Sequence, residues 1–140
     1  TGLFLGAKLG LSIKGMEYET QLDCLIPIPV FHRKQFDRGY NQAYYIAKGL
    51  SSITGIPIKQ NLVIKRKQTQ SQTKLTSEKR RLNVKNTFLA SEKFKKLKSI
   101  GLVDDVVTTG STLSEVCKEI INVNGSIKII IFTIGVAGIE

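Results

Sequence analysis

The sequence predicts an α/β domain built as a doubly wound, mostly parallel sheet, and three observations carry that reading. Short apolar runs recur at 23–27, 100–103 and 126–133, the length of buried strands rather than of helices. Amphipathic segments with apolar residues at helical spacing lie among them, as crossover helices do. The stretch Ser99 to Ile121, SIGLVDDVVTTGSTLSEVCKEII, then joins strand, polar turn and helix in the order that open α/β sheets use at their ligand edge.

Taken in order, residues 1–22 hold four glycines and only loose helical spacing, which predicts a poorly specified helix or an irregular lead-in. A start at Thr1 rather than Met suggests a fragment. Residues 23–140 are expected to form one domain. Its first strand, DCLIPIP, is stopped by Pro27 and Pro29, which cannot continue a central ladder. The loop after it, FHRKQFDRG, sets His32, Arg33, Lys34 and Arg38 just past the strand's carboxyl end. Tyr40, Ala43, Tyr44, Ala47 and Leu50 mark a helix ended by Gly55 and Pro57, its tyrosines read as packing residues.

Asn61 to Lys65 and Asn86 to Ala90 read as brief strands around a polar, basic segment. Between Lys65 and Lys85 there are eight Lys or Arg against one acid, Glu78. Composition predicts mobility from Lys67 to Thr73 and a short helix from Ser77 to Val84. Such a segment is equally suited to closing over a bound sugar and to tracking a nucleic-acid backbone, and Lys65, Arg66, Lys67, Lys74, Arg80 and Arg81 are its candidate contacts. Lys93, Lys95, Lys96 and Lys98 form a second basic cluster ahead of the central strand.

The central stretch carries the chemistry. Ile100, Leu102 and Val103 form the strand; Leu113, Val116, Cys117, Ile120 and Ile121 share one helical face. Thr112 with Glu115 predicts a capping box and Asn124-Gly125 a helix end, and the helix is expected to start just after Gly110. The first N–H groups of a helix lack internal partners and carry partial positive charge, so the turn favours an anion. Thr108, Thr109, Ser111 and Thr112 add hydroxyls, and Gly110 leaves the main chain open to a phosphate. Asp104 and Asp105 repel that phosphate, but they accept hydrogen bonds from sugar hydroxyls and attract a divalent cation. A phosphate with a neighbouring diol suits both halves.

At these residues the chain resembles the type I phosphoribosyltransferases, whose signature is a strand followed by DD-V-x-TTG-x-T. The resemblance implies 5-phosphoribosyl-1-pyrophosphate as ligand, with Mg2+. Asp104 and Asp105 would meet the ribose hydroxyls and, directly or through water, the metal. The 5′-phosphate loop would run through Val106, Val107, Thr108, Thr109, Gly110, Ser111 and Thr112, with His32, Arg33 and Lys34 on the pyrophosphate. From about residue 23 to 135 the chain also resembles the ComF family of competence-associated phosphoribosyltransferase-like proteins, through IPIP, Arg38-Gly39-Tyr40-Asn41-Gln42-Ala43, and Gln72, Leu75, Arg80 or Arg81, Asn83 and Phe88. That resemblance implies a cytoplasmic role in natural transformation, with single-stranded DNA and a competence helicase as partners. It leaves open whether the protein is an enzyme or a non-catalytic binding or sensing module. Many members of that family carry a four-cysteine zinc module, which this chain does not contain.

Length and charge bound the rest. The 140 residues, 41% hydrophobic, suit one core. No apolar run approaches a membrane span. Cys24 and Cys117 read as buried, reduced thiols. A net charge of +10 fits a polyanionic partner or phosphorylated ligand.

Overall fold

The computed structural model describes residues 1–15, 21–29, 41–65, 88–107 and 109–137. In chain order they form helix α1 (Gly2–Ile13), strand β1 (Cys24–Pro27), helix α2 (Gln42–Thr54) and strands β2 (Val63–Lys65) and β3 (Phe88–Ala90). A 3-10 turn (Glu92–Lys96), strand β4 (Ser99–Val107), helix α3 (Ser111–Val123) and strand β5 (Lys128–Val136) follow.

The sheet is parallel, ordered β1-β4-β5. Cys24 pairs with Ile100 and Ser99 with Lys128, so all three strands point their carboxyl ends the same way. Burial explains the centre: residues 99–103 of β4 are all buried. The chain after Gly55 adds one parallel bridge outside β1, where Lys59 N–H donates to Leu25 O at 2.9 Å.

Strand alternation splits the core over two faces. Leu25, Val103 and Phe132 face α1 and α2 through Ile13, Ile46, Ala47 and Leu50. Cys24, Ile26, Ile100 and Leu102 face α3 through Leu113, Val116 and Ile120, with Phe94 of the 3-10 turn in the same cluster. Helices on both faces of a parallel sheet make the doubly wound architecture that the apolar runs predict.

Three local features differ from the sequence reading. First, β2 and β3 pair antiparallel with each other, Val63 opposite Ala90, as a separate ribbon. Its buried Val63 and Phe88 cover the α3 side, while Ile64 and Leu89 are exposed. Second, β4 does not end at Val103: nine-residue β5 pairs along it as far as Val107, so the two aspartates lie within the strand. Third, the buried stripe of α2 is Ala43, Ile46, Ala47, Gly49 and Leu50, whereas Tyr44 and Tyr45 are half-buried and stack edge to face at 5.3 Å. Tyr40 falls outside the described residues. Asn41 caps this helix by accepting from Ala43 N–H at 3.0 Å, and its own amide donates to Ile28 O, tying the helix start to the end of β1.

The segment at 2–13 is helical because its glycines have a partner to meet. Gly2, Gly6 and Gly10 are buried on one face of α1. A Cβ on Gly6 would lie 2.0 Å from Ile46 O, and one on Gly49 would lie 2.2 Å from Leu3 O. The two backbones are thus in contact, which only glycine permits.

Candidate functional site

The site forms where β4 turns into α3, at the carboxyl edge of the sheet. Gly110 adopts φ +80°, the left-handed conformation that side chains resist, and this turn releases the chain from the strand and starts the helix at Ser111. The expected capping box is not the cap: Gly110 is the N-cap and no side-chain cap bond forms. The helix does begin just after Gly110, as expected, so Thr112 is already its second residue and cannot cap it. Ser114 N–H closes the first helical bond on Gly110 O at 2.9 Å. The N–H groups of Ser111, Thr112 and Leu113 therefore precede the helical ladder, and among the described residues only that of Ser111 has a partner, Thr109 Oγ1 at 3.3 Å. Thr109 and Ser111 hydroxyls are also bonded to each other at 3.0 Å.

These groups border a small, open cleft lined by Asp104, Val106, Val107, the 109–112 turn and Leu113. Asp104 contributes the negative side of the cleft; Asp105, next on the strand, does not line it. Each carboxylate gives one oxygen to the main chain: Asp104 Oδ1 accepts from Asp105 N–H at 2.9 Å, and Asp105 Oδ1 accepts from Val106 N–H at 2.7 Å. Burial pushes Asp104 up to about 6, an effect tempered by the Asp105 N–H and reinforced by the Asp105 carboxylate beside it. Near neutral pH the side chain is thus an ionised acceptor that a cation or hydroxyl donor stabilises.

One residue that sequence reasoning missed is Thr133 of β5, opposite Asp104. Its hydroxyl lies 2.9 Å from both Asp105 O and Gly135 O, and it accepts from Gly135 N–H. The bond pins the backbone under the acid pair. The only available signal was a lone hydroxyl in the apolar run IIIFTI. Replacing it isosterically, Thr133→Val, should lower unfolding stability by about 1 kcal/mol, and Thr133→Ser should restore most of it. Urea denaturation measures both; a loss in Thr133→Ser with none in Thr133→Val would mean that the methyl group, not the hydroxyl, matters.

Other expectations are placed as follows. Lys65 ends β2 opposite Phe88, as the strand expected over Asn61 to Lys65 requires, and its ammonium lies 5.6 Å from that ring's centre. Thr108, His32, Arg33, Lys34, Arg66, Lys67, Lys74, Arg80 and Arg81 lie outside the described residues, as do the mobility expected at 67–73 and the short helix at 77–84. Cys24 and Cys117 are free, and burial pushes the Cys24 thiol up to about 11 and raises that of Cys117. Among the described residues no helix is long and apolar enough to cross a membrane.

A divalent cation finds only part of a shell here. No group of three or more His, Cys, Asp or Glu that could hold a metal occurs among the described residues. The carboxylate of Asp104, with that of Asp105 beside it on the strand, suits a hard cation such as Mg2+, which keeps water and takes further oxygens from a phosphorylated ligand.

Residues 39–137 match the phosphoribosyl transferase domain model. The chain belongs to that family. Within it, the chain is a homologue of competence protein F of Haemophilus influenzae, 40% identical over 119 residues, which are 81% of this chain and 52% of the relative. The DNA utilization protein YhgH of Salmonella typhi is 30% identical over 104 residues, 74% of this chain and 45% of that protein. The chain thus spans about half the length of these curated relatives. Among solved structures, a purine phosphoribosyltransferase from Pyrococcus horikoshii Ot3 superposes with a TM-score of 0.52 at 20% identity, covering 96% of this chain and 69% of that one. At that identity the likeness concerns the fold alone.

Proposed function

We propose that the chain binds 5-phosphoribosyl-1-pyrophosphate, with Mg2+, at the carboxyl edge of β4, within a cytoplasmic protein that handles single-stranded DNA in natural transformation. The observation that carries the ligand assignment is the meeting of Asp104 with the open N-terminus of α3 across the Gly110 turn. The first-turn N–H groups and the Thr109, Ser111 and Thr112 hydroxyls suit a phosphate monoester. Asp104 suits the ribose hydroxyls. Mg2+, when bound, would neutralise pyrophosphate oxygens. The competence role is supported by the name of competence protein F and by the DNA utilization relatives; a competence helicase is the partner proposed with it.

In a transferase, such a site would work by stabilising an oxocarbenium-like centre and the charge on the leaving group, not by a nucleophilic side chain. A second reading, a non-catalytic module that keeps a phosphoribose site while holding or sensing single-stranded DNA, is favoured by two observations. The described cleft lining contains no aromatic residue against which a nucleobase acceptor would stack, and the chain carries +10. Isothermal titration with 5-phosphoribosyl-1-pyrophosphate and Mg2+ tests the shared site. Binding should be lost in Asp104→Asn combined with Asp105→Asn, and equal heats for wild type and variant would reject it. Release of pyrophosphate on adding candidate acceptors separates enzyme from module.

A further inference from the structure

The second basic cluster of the sequence is not part of the cleft, and the fold gathers it at the opposite end of the sheet. Lys98 precedes β4 and Lys128 opens β5; their backbones meet, Lys128 N–H donating to Lys98 O at 2.9 Å. The 3-10 turn carrying Lys93, Lys95 and Lys96 is fastened to the same edge. Asn124, at the end of α3, donates its side-chain amide to Phe94 O at 3.0 Å and Leu97 O at 2.9 Å. Phe94 between the lysines is fully buried, and Ser91 caps the turn through Lys93 N–H at 3.1 Å. The lysines are therefore exposed side chains on a fixed backbone, unlike those of a solvated charge run.

The local balance is positive. Five lysines stand with Glu92, which pairs Lys95 at 2.7 Å, and Asp23, whose Oδ2 accepts from the Lys98 and Ser99 N–H groups at 2.7 and 3.1 Å. Setting Lys128 aside, whose Nζ donates to Gln21 Oε1 at 3.4 Å, that leaves a surplus of two charges among these residues. The end of the α3 dipole accounts for about half a charge of it. In a 3-10 turn, residues three apart share a side and are about 6 Å apart along the axis, so Lys93 and Lys96 form a pair of cations at a spacing suited to successive phosphates of an extended strand. No exposed aromatic ring accompanies them among the described residues of this end. Recognition here would be of backbone charge and not of bases.

We propose that this amino-terminal edge of the sheet is a backbone-phosphate site for single-stranded DNA, separate from the phosphoribose cleft; it rests on the reading of the protein as one that handles such DNA. Five residue steps along the strand take Ser99 to Asp104, about 17 Å. That exceeds the screening length of about 8 Å at physiological salt, so the acid pair does not repel a strand held here and both ligands bind at once.

The test is fluorescence anisotropy of labelled thirty-nucleotide oligo-dT with the 140-residue chain across salt concentrations. The patch variant is K93Q/K96Q/K98Q/K128Q, and the control of equal charge is K8Q/K48Q/K59Q/K118Q, in which the lysines occupy exposed positions within the helices and beside β1. The patch variant should bind at least tenfold more weakly at low salt. Its slope of log K against log salt should be shallower by up to about 3, since each phosphate contact on a single strand contributes about 0.7. The control should change the slope by less than 1, and saturating 5-phosphoribosyl-1-pyrophosphate with Mg2+ should leave the affinity within twofold of that with Mg2+ alone. Wild-type binding that the patch variant matches overturns this site but not the DNA reading; no wild-type binding even at low salt overturns both. Equal losses in patch and control variants, displacement of DNA by the sugar ligand, or equal affinity for polyglutamate each overturn it, the last by assigning the edge to an acidic protein partner.

Discussion

Asp104→Asn should abolish most phosphoribosyl binding while making the free protein more stable at neutral pH. Loss of the charged acceptor beside the ligand's hydroxyls should weaken binding by at least tenfold, in line with the roughly 1.5 to 3 kcal/mol of a hydrogen bond to a charged group. The stability gain comes from the same carboxylate. In the folded chain Asp104 titrates near 6, against 3.8 for an ordinary aspartate, chiefly because folding half-buries its charge. Between those values the folded state holds a proton that the unfolded state has released, so folding stability falls as pH rises from about 4 to about 6 and stays level above. Asparagine carries no charge to desolvate, and its Oδ1 can still accept the Asp105 N–H.

The variant's advantage should therefore be absent near pH 4, grow through pH 5 and 6, and be complete by pH 7. Solvent screening at a group this exposed limits it to about 1 kcal/mol, or roughly 2 to 4 °C in a chain of this size. Thermal melts of both proteins at pH 4, 5, 6 and 7 measure it. A variant less stable than wild type at pH 7, or a difference that ignores pH, would show that Asp104 is a structural residue and not an electrostatically costly one retained for binding.

The features that proved legible in the sequence are those written in short stretches. Ile100, Leu102 and Val103 announce a strand buried on both faces because a parallel sheet leaves no polar side to alternate with. Gly55 signals the end of α2 because φ +78° there needs glycine, and Leu113, Val116 and Ile120 repeat at the step of a half-buried helix. What could not be read depends on residues distant in the chain. The length of β4 is fixed by β5 beside it, so nothing in SIGLVDD itself places the aspartates inside the strand. The helix start just after Gly110 was legible, but that Gly110 in its left-handed turn would be the cap is a choice that Thr112 and Glu115 do not reveal. Likewise Val63 and Phe88 read as isolated strand fragments until their mutual pairing supplies the partner strand each lacks.

The contact between α1 and α2 is the clearest case of distant determination, and it makes a prediction whose sign is informative. By helix propensity alone, Gly49→Ala in the middle of α2 should stabilise the chain by roughly 1 kcal/mol. The packing says the opposite. The added methyl carbon would sit 2.2 Å from Leu3 O and 2.7 Å from Ala7 N, both backbone atoms of α1 that no rotamer change can move aside. The helices must separate, loosening the contacts of Ile13, Ile46 and Leu50 beneath them. Overpacking of this kind costs about 1 to 3 kcal/mol, or more when the backbone must shift, so a net loss of about 2 kcal/mol is expected from Gly49→Ala. Gly6→Ala, with its carbon 2.0 Å from Ile46 O, should cost at least as much. Gly125→Ala, where the nearest atom is Ile121 O at 3.8 Å, should change stability by less than 1 kcal/mol. Because Gly6 and Gly49 report the same interface, the double variant should lose less than the sum of the singles: once one methyl has parted the helices, the second finds room. Urea unfolding of the four variants decides it. Stabilisation by Gly49→Ala, or strict additivity with Gly6→Ala, would mean that α1 does not lie against α2 in solution and that the alanine at 49 acts only through the propensity of its own helix.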